Sequence, residues 1–215
     1  VYERFVEGIH HGQASYEIGN ISIGAEKSID VQFEMHRHIK NWKLEVSPYV
    51  KYIDGFIQTI PGEPILTIRG AYPAFNFDQT KAFISGLDLF IDRSWNINQS
   101  KVLIYRGMIS MLYHRDLDGE EALYFMPGNS IWNELSLQLS SALNFSISNQ
   151  WIFEQKQIPT SHLDYAPPPP TYTLVGAAVA YSYKYTWRLR ISVDNVFNQK
   201  YRDFLDRFRY FADAP

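Results

Sequence analysis

From Ile29 the chain alternates strictly: Ile29, Val31, Phe33 and Met35 are apolar, whereas Asp30, Gln32, Glu34 and His36 are polar. A period of two puts these sets on opposite faces of a β-strand, and a helix of 3.6-residue period cannot sort them. The pattern recurs at Trp42, Leu44 and Val46 against Lys43, Glu45 and Ser47, and at Phe83, Leu87, Leu89 and Ile91 against Ala82, Gly86, Asp88 and Asp92. It returns at Leu135, Leu137 and Leu139, at Phe145, Ile147, Trp151 and Phe153, and at Trp187, Leu189, Ile191 and Val193, each set interleaved with polar residues. Segments 101–114 and 171–184 alternate less cleanly. Eight strands are predicted, at 26–39, 42–57, 77–94, 101–114, 131–141, 144–157, 171–184 and 187–195. Several run to about fourteen residues, against about five or six in a globular strand, which suits a tilted strand that crosses a bilayer and continues beyond it.

The connections sort into two alternating kinds. Short ones fall at Lys40-Asn41, 95–100, 142–143 and 185–186; long ones fall at 58–76, 115–130 and 158–170, with long segments also at 1–25 and 196–215. In an antiparallel up-and-down sheet every second connection lies on the same side, so one rim carries tight turns and the other long loops. The expected fold is all-β, part of an antiparallel up-and-down transmembrane β-barrel, with the long segments as extracellular loops. A soluble β-sandwich would produce the same alternation with its polar face in solvent. Strand length, the segregation of loop lengths, and 15 tyrosines with five tryptophans, suited to interfacial girdles, favour the membrane barrel.

Composition narrows the function classes. An apolar content of 46% excludes a disordered tail, and 20 basic against 23 acidic residues give no one-sided positive field for nucleic acid. No cysteine is present, which removes disulfides, thiolate metal sites and cysteine nucleophiles. The N-terminal stretch has no basic n-region or apolar h-region of a signal peptide. The longest nearly apolar run, Leu174 to Tyr181, has eight residues, against the roughly 20 of a transmembrane helix, so any membrane crossing is made by strands. There is no nucleophile elbow, phosphate loop or HExxH helix, so no enzyme and no cofactor is expected. The Asp116, Asp118, Gly119, Glu120, Glu121 cluster lacks the full order of a calcium loop and reads as an exposed acidic loop.

Histidine is the only candidate for selective metal chemistry. His10, His11, His114 and His162 fall on the long-loop side, where imidazoles helped by Glu17, Asp116 or Asp164 would capture a metal or its complex. The competing reading is ordinary hydrogen bonding, because no pair has zinc-finger or zincin spacing. His36 and His38 share one strand face near a short turn. The Ala166-Pro167-Pro168-Pro169-Pro170 run reads as a stiff spacer into the strand at Thr171, with a ligand for a proline-binding domain as the alternative. Phe204, Leu205, Phe208 and Phe211 recur at helical intervals and predict a short helix whose aromatic side packs on neighbouring loops.

The stretch Leu189-Arg190-Ile191-Ser192-Val193-Asp194-Asn195-Val196-Phe197-Asn198-Gln199-Lys200-Tyr201 resembles the penultimate-strand signature of TonB-dependent outer-membrane receptors, in which a strand ends in an Asn-Leu-Phe-Asn-x-x-Tyr-like element carried here by Asn195, Phe197, Asn198 and Tyr201. Gly8-Ile9-His10-His11-Gly12, followed by Tyr16-Glu17-Ile18-Gly19-Asn20 and Glu26-Lys27-Ser28, is similar to an extracellular loop and following strand of the same receptors. The resemblance implies a bacterial outer-membrane location and a barrel of twenty-two strands plugged by an N-terminal domain. It also implies a metal chelate or siderophore as ligand and a TonB complex that supplies energy through the plug. This segment carries neither plug nor closing strand, so a partial barrel that does not transport alone is expected. A passive porin or a barrel adhesin is the alternative within the membrane class.

Overall fold

The computed structural model describes residues 2–161, 164, 166–184, 186–211 and 213. Within them lie one helical turn, α1 (Tyr2–Phe5), and eleven strands of a single sheet. The strands are β1 (Glu7–His10), β2 (Ser15–Ile18), β3 (Lys27–Gln32), β4 (Met35–Ile39), β5 (Trp42–Thr67), β6 (Gly70–Asn96), β7 (Val102–Asp116), β8 (Ser130–Gln138), β9 (Leu143–Ile152), β10 (Tyr172–Tyr183) and β11 (Trp187–Val193). From β5 to β11 each strand pairs antiparallel with the next in sequence, as an up-and-down wall requires. β3 and β4 both lie along β5, and their register is continuous, with Gln32 opposite Tyr49 and Met35 opposite Val46. The break between them faces Pro48, which has no N–H to donate and only accepts from Phe33 at 3.0 Å. Counted as one strand, they complete the eight-strand wall that alternation predicts.

Two long segments expected as loops are regular instead. The 58–76 stretch is a hydrogen-bonded ribbon: β5 and β6 pair out to Thr67 and Gly70, and only Ile68 and Arg69 make the turn. Pro61, Gly62 and Pro64 had hidden it, but β5 beyond Asp54 has lost its β3 neighbour, and an edge tolerates proline. There the prolines and Glu63 also deny pairing to other chains. Gly55, at φ +77, sits in the bulge between Ile53 and Phe56 where the ribbon leaves the wall. The Glu26 carboxylate accepts the Ile57 N–H at 2.7 Å, one of the groups left on that edge. The 1–25 stretch forms α1 and the β1–β2 hairpin, and β2 adds parallel to β6 at Ala74–Asn76, beyond the end of β7. Gly19 is required where this hairpin meets α1, since a Cβ would lie 2.8 Å from the Arg4 carbonyl carbon.

Pairing carries each face across the sheet. One register row reads Met35, Val46, Leu89, Ile109, Ile131 and Trp151; another reads His38, Lys43, Asp92, Arg106, Glu134 and Ser148. The apolar face stays open, with Ile147 and Leu189 each 60% exposed, a surface that water would penalise and lipid accepts. Aromatic residues sit at both of its ends: Trp42, Tyr183 and Trp187 near the tight turns, and Tyr52, Phe83, Tyr113 and Trp151 near the loops. The arginines on this face lie towards its ends, Arg37 opposite Leu44 and Arg93 near the tight turns and Arg115 opposite Phe83 near the loops, and Arg93 lies over Trp42 and Trp95 at 4.2 and 4.5 Å, in the turn-side belt. On the polar face Arg106 bridges Asp92 at 3.1 Å and Glu134 at 2.9 Å.

Candidate functional site

The long connections and the chain after β11 fold over the polar face at the loop end of the wall. Asp116 starts this cover: its carboxylate accepts the N–H groups of Asp118 and Gly119 at 3.0 and 2.9 Å, and Thr80 and Gln58 of the wall donate to it. The turn it makes sends Leu123 against Ile53, Ala82 and Ile84 in a small core. His114, 1% exposed, accepts the Leu123 N–H on Nδ1 at 3.1 Å, so that lone pair holds the loop to the wall. Its Nε2 lies 3.3 Å from the Gln155 amide, which also donates to the Met126 and Pro127 carbonyls. Glu121 ties the same loop to the next one, accepting the N–H and hydroxyl of both Thr160 and Ser161.

Burial pushes the Glu121 carboxyl up, but those hydrogen bonds outweigh it and hold it below its ordinary range. A depressed carboxylate contributes stability above its unfolded pKa and loses it as pH falls through the folded value. This clasp is therefore expected to loosen only on acidification below the usual carboxylate range. Glu121→Ala should release it at neutral pH, read as faster protease nicking within 115–130 and 158–161; unchanged nicking would mean the loops are held elsewhere.

The segment 203–211 closes the cluster. It is not the amphipathic helix that its spacing predicts: one 3-10 turn spans Arg207–Tyr210, and Leu205, Phe208 and Phe211 remain about half exposed. Of that apolar set Phe204 alone is buried, and the inward residues are instead the arginines. Arg207 lies over Phe75 and Phe125 at 3.8 and 3.9 Å and donates to Thr59 at 2.7 Å. Burial works against its charge, and the two ring faces offset part of that cost. Arg209, 1% exposed, pairs with Asp164 and donates to the Ala166 carbonyl at 2.8 Å, anchoring the proline run. Tyr210 packs edge-on against Phe75, and burial and a hydrogen bond to Asp164 raise its pKa. Beneath the cover is a recess of about 180 Å³, lined by the wall residues Ser130, Gln150, Ile152 and Tyr172 and by Asp203 and Phe204.

The histidines are dispersed. His10 is half-buried on β1, His11 is exposed at the hairpin tip, His114 is taken up as described, and His162 lies outside the described residues. Among the described residues no three His, Asp or Glu side chains converge to hold a metal ion. The carboxylates expected to help are otherwise engaged: Glu17 accepts from Tyr2 at 2.7 Å, raising that phenol to about 12, Asp164 holds Arg209, and Asp116 holds its turn. His36 faces Glu34 and Glu45 at 3.6 and 3.5 Å on the polar face.

The signature residues shape the turn that follows β11. Asn195 and Asn198 both have positive φ, 50 and 49, a conformation that asparagine tolerates better than other side chains, and the Asn195 amide brackets Gln199 at 2.9 and 3.0 Å. Tyr201 stacks on Tyr172 at 4.7 Å and Phe197 is 76% exposed.

A twisted up-and-down wall, apolar towards its surroundings, polar on the face its loops fold over, and belted by aromatics, is a section of a membrane-spanning β-barrel; the described residues hold no helix long and apolar enough to cross a membrane. No protein-family model matches the sequence, and no curated protein does. Solved structures do match in fold. The copper transporter OprC superposes with a TM-score of 0.70 at 17% identity, covering 86% of this chain. The siderophore receptor PirA from Acinetobacter baumannii gives 0.60 at 13% over 94%, and the ferric enterobactin receptor PfeA from Pseudomonas aeruginosa gives 0.59 at 14% over 87%. The chain has the fold of part of the barrel of these TonB-dependent receptors, which are outer-membrane proteins of Gram-negative bacteria. It spans 27% to 32% of their length.

Proposed function

We propose that this chain forms wall and external loops of an outer-membrane receptor for TonB-energised uptake of a scarce nutrient, taken as a metal chelate, with an iron-siderophore complex as the favoured cargo. The recess where loops close over the polar face carries this reading, because a cavity at the mouth of a wet lumen suits an incoming ligand. Likeness to copper and siderophore receptors supports the cargo class. A chelate is favoured over a bare ion because the described residues gather no ligand set for a metal, whereas a chelate arrives with its metal coordinated and needs only aromatic and polar contacts. His10 and His11 are proposed as contacts to it from the β1–β2 hairpin, and contact with TonB would run through a plug domain.

The test uses the full-length parent. Outer-membrane fractionation, a gel-mobility shift on boiling and growth rescue by ferric siderophores under iron starvation, abolished by collapsing the proton gradient, are the expected results. Uptake that survives gradient collapse would make it a porin, and a soluble product would return the sandwich. Unchanged chelate affinity after joint substitution of His10 and His11 would remove those two residues from the site.

A further inference from the structure

Below the capped mouth the polar face is not uniform. On β9 it presents Gln150, Ser148, Ser146 and Asn144, and on β10 Gly176, Ala178, Ala180 and Ser182, while on β7 and β8 it carries Met108 and Trp132. The shorter side chains leave a run of recesses. The mouth recess shares Gln150 with one of about 330 Å³ at Ser148, Gly176 and Asp194. Two residues further along each strand is a recess of about 170 Å³ at Ser146, Ala178 and Ala180, which shares Arg188 with a last one, of about 360 Å³, beside Lys184 at the turn end.

Charge changes along this run. The first recess is lined by Arg202 and Asp203 together and the second by Asp194, whereas the third is walled by Arg106, Arg188 and Arg190 against one carboxylate, Glu134. Glu134 is already bound to Arg106, which Asp92 also neutralises. Arg188 and Arg190 form no ion pair with a described residue. They stand two positions apart on one strand face, about 7 Å from each other, with only Ser182 and Ala180 opposite. Two like charges held that close, with the one carboxylate of the recess already bound to Arg106, favour an anion between them.

We propose that this recess is an anion station on the lumenal wall, where Arg188 and Arg190 receive a carboxylate of a solute moving along the β9–β10 groove. The inference rests on the reading of the polar face as lumen. It adds to the loop-side site a second contact, nearer the turn end, that selects for negative charge.

The test is charge-selective labelling of Ala180→Cys, facing Arg190 across the β10–β11 pair, in the full-length protein in outer membranes. The chain itself has no cysteine. Boiling-dependent mobility establishes that each variant assembles. The probes are the anionic sulfonatoethyl and the cationic trimethylammonium methanethiosulfonates, each rate divided by its rate with free cysteine. The anionic reagent is expected to be favoured by roughly tenfold, and the preference should vanish with Arg188→Gln and Arg190→Gln together. Equal normalised rates would overturn the proposal. So would failure of both reagents to react, since the recess would then be filled by another part of the protein. The assay needs no cargo: a protein that fails the growth test yet keeps the charge preference loses the import reading and retains the station.

Discussion

Ile191→Arg is expected to destabilise the assembled barrel by about 2–4 kcal/mol if Ile191 lies near the bilayer midplane, the cost of a lipid-facing arginine there. Ile191 is 58% exposed on the apolar face, opposite Val179. The neighbouring change Arg190→Ile reverses the chemistry on the polar face, where the guanidinium holds no ion pair with a described residue, and is expected to cost clearly less. Urea unfolding of both variants from lipid vesicles compares them directly. Similar costs would mean that the two faces meet similar surroundings, and the assignment of lipid to one and water to the other would fail.

Arg209→Leu is expected to have the second large effect, and a local one. The Arg209 side chain is 1% exposed and that of its partner Asp164 is 0% exposed. Removing one member of a buried pair typically costs about 3–5 kcal/mol, because the remaining charge keeps its desolvation penalty and loses its attraction. The Ala166 carbonyl loses its donor as well. Since these contacts join the cover to the proline loop rather than strand to strand, 203–211 and 166–170 should detach while the wall persists. Hydrogen exchange would then speed up within 203–211 and at the Ala166 amide, which in the unaltered protein donates to Asp164, and not in the wall; Pro167 to Pro170 have no N–H to exchange. Unchanged exchange there would show that the aromatic contacts of Phe204 and Tyr210 suffice; accelerated exchange across β5–β10 would show that the cover supports the wall.

Legibility from sequence followed the strength of local rules. Alternation at Trp42–Val46 or Trp187–Val193 survives any tertiary arrangement that keeps one face apolar, so these strands were readable. The outer ribbon at 58–76 was not, because prolines weaken the strand signal and the sequence does not show that Pro61 and Pro64 fall on an edge, where proline is tolerated. The loop site was the least readable part. Phe204, Leu205, Phe208 and Phe211 carry a helical period, yet Arg207 and Arg209 are the residues that turn inward, because Phe75, Phe125 and Asp164 await them from distant parts of the chain. His114 looked like its neighbours in composition, and only the approach of Leu123 and Gln155 gives it a holding role.

The sequence by itself determined the eight strands of the wall, their two faces and the tight connections between them, all of which depend on residues close in the chain. Tertiary structure alone decided which loops meet, which arginines are buried and where the β9–β10 groove runs. Those outcomes depend on pairing register and on the meeting of residues up to 148 positions apart, such as Thr59 and Arg207, and no local pattern encodes such an encounter.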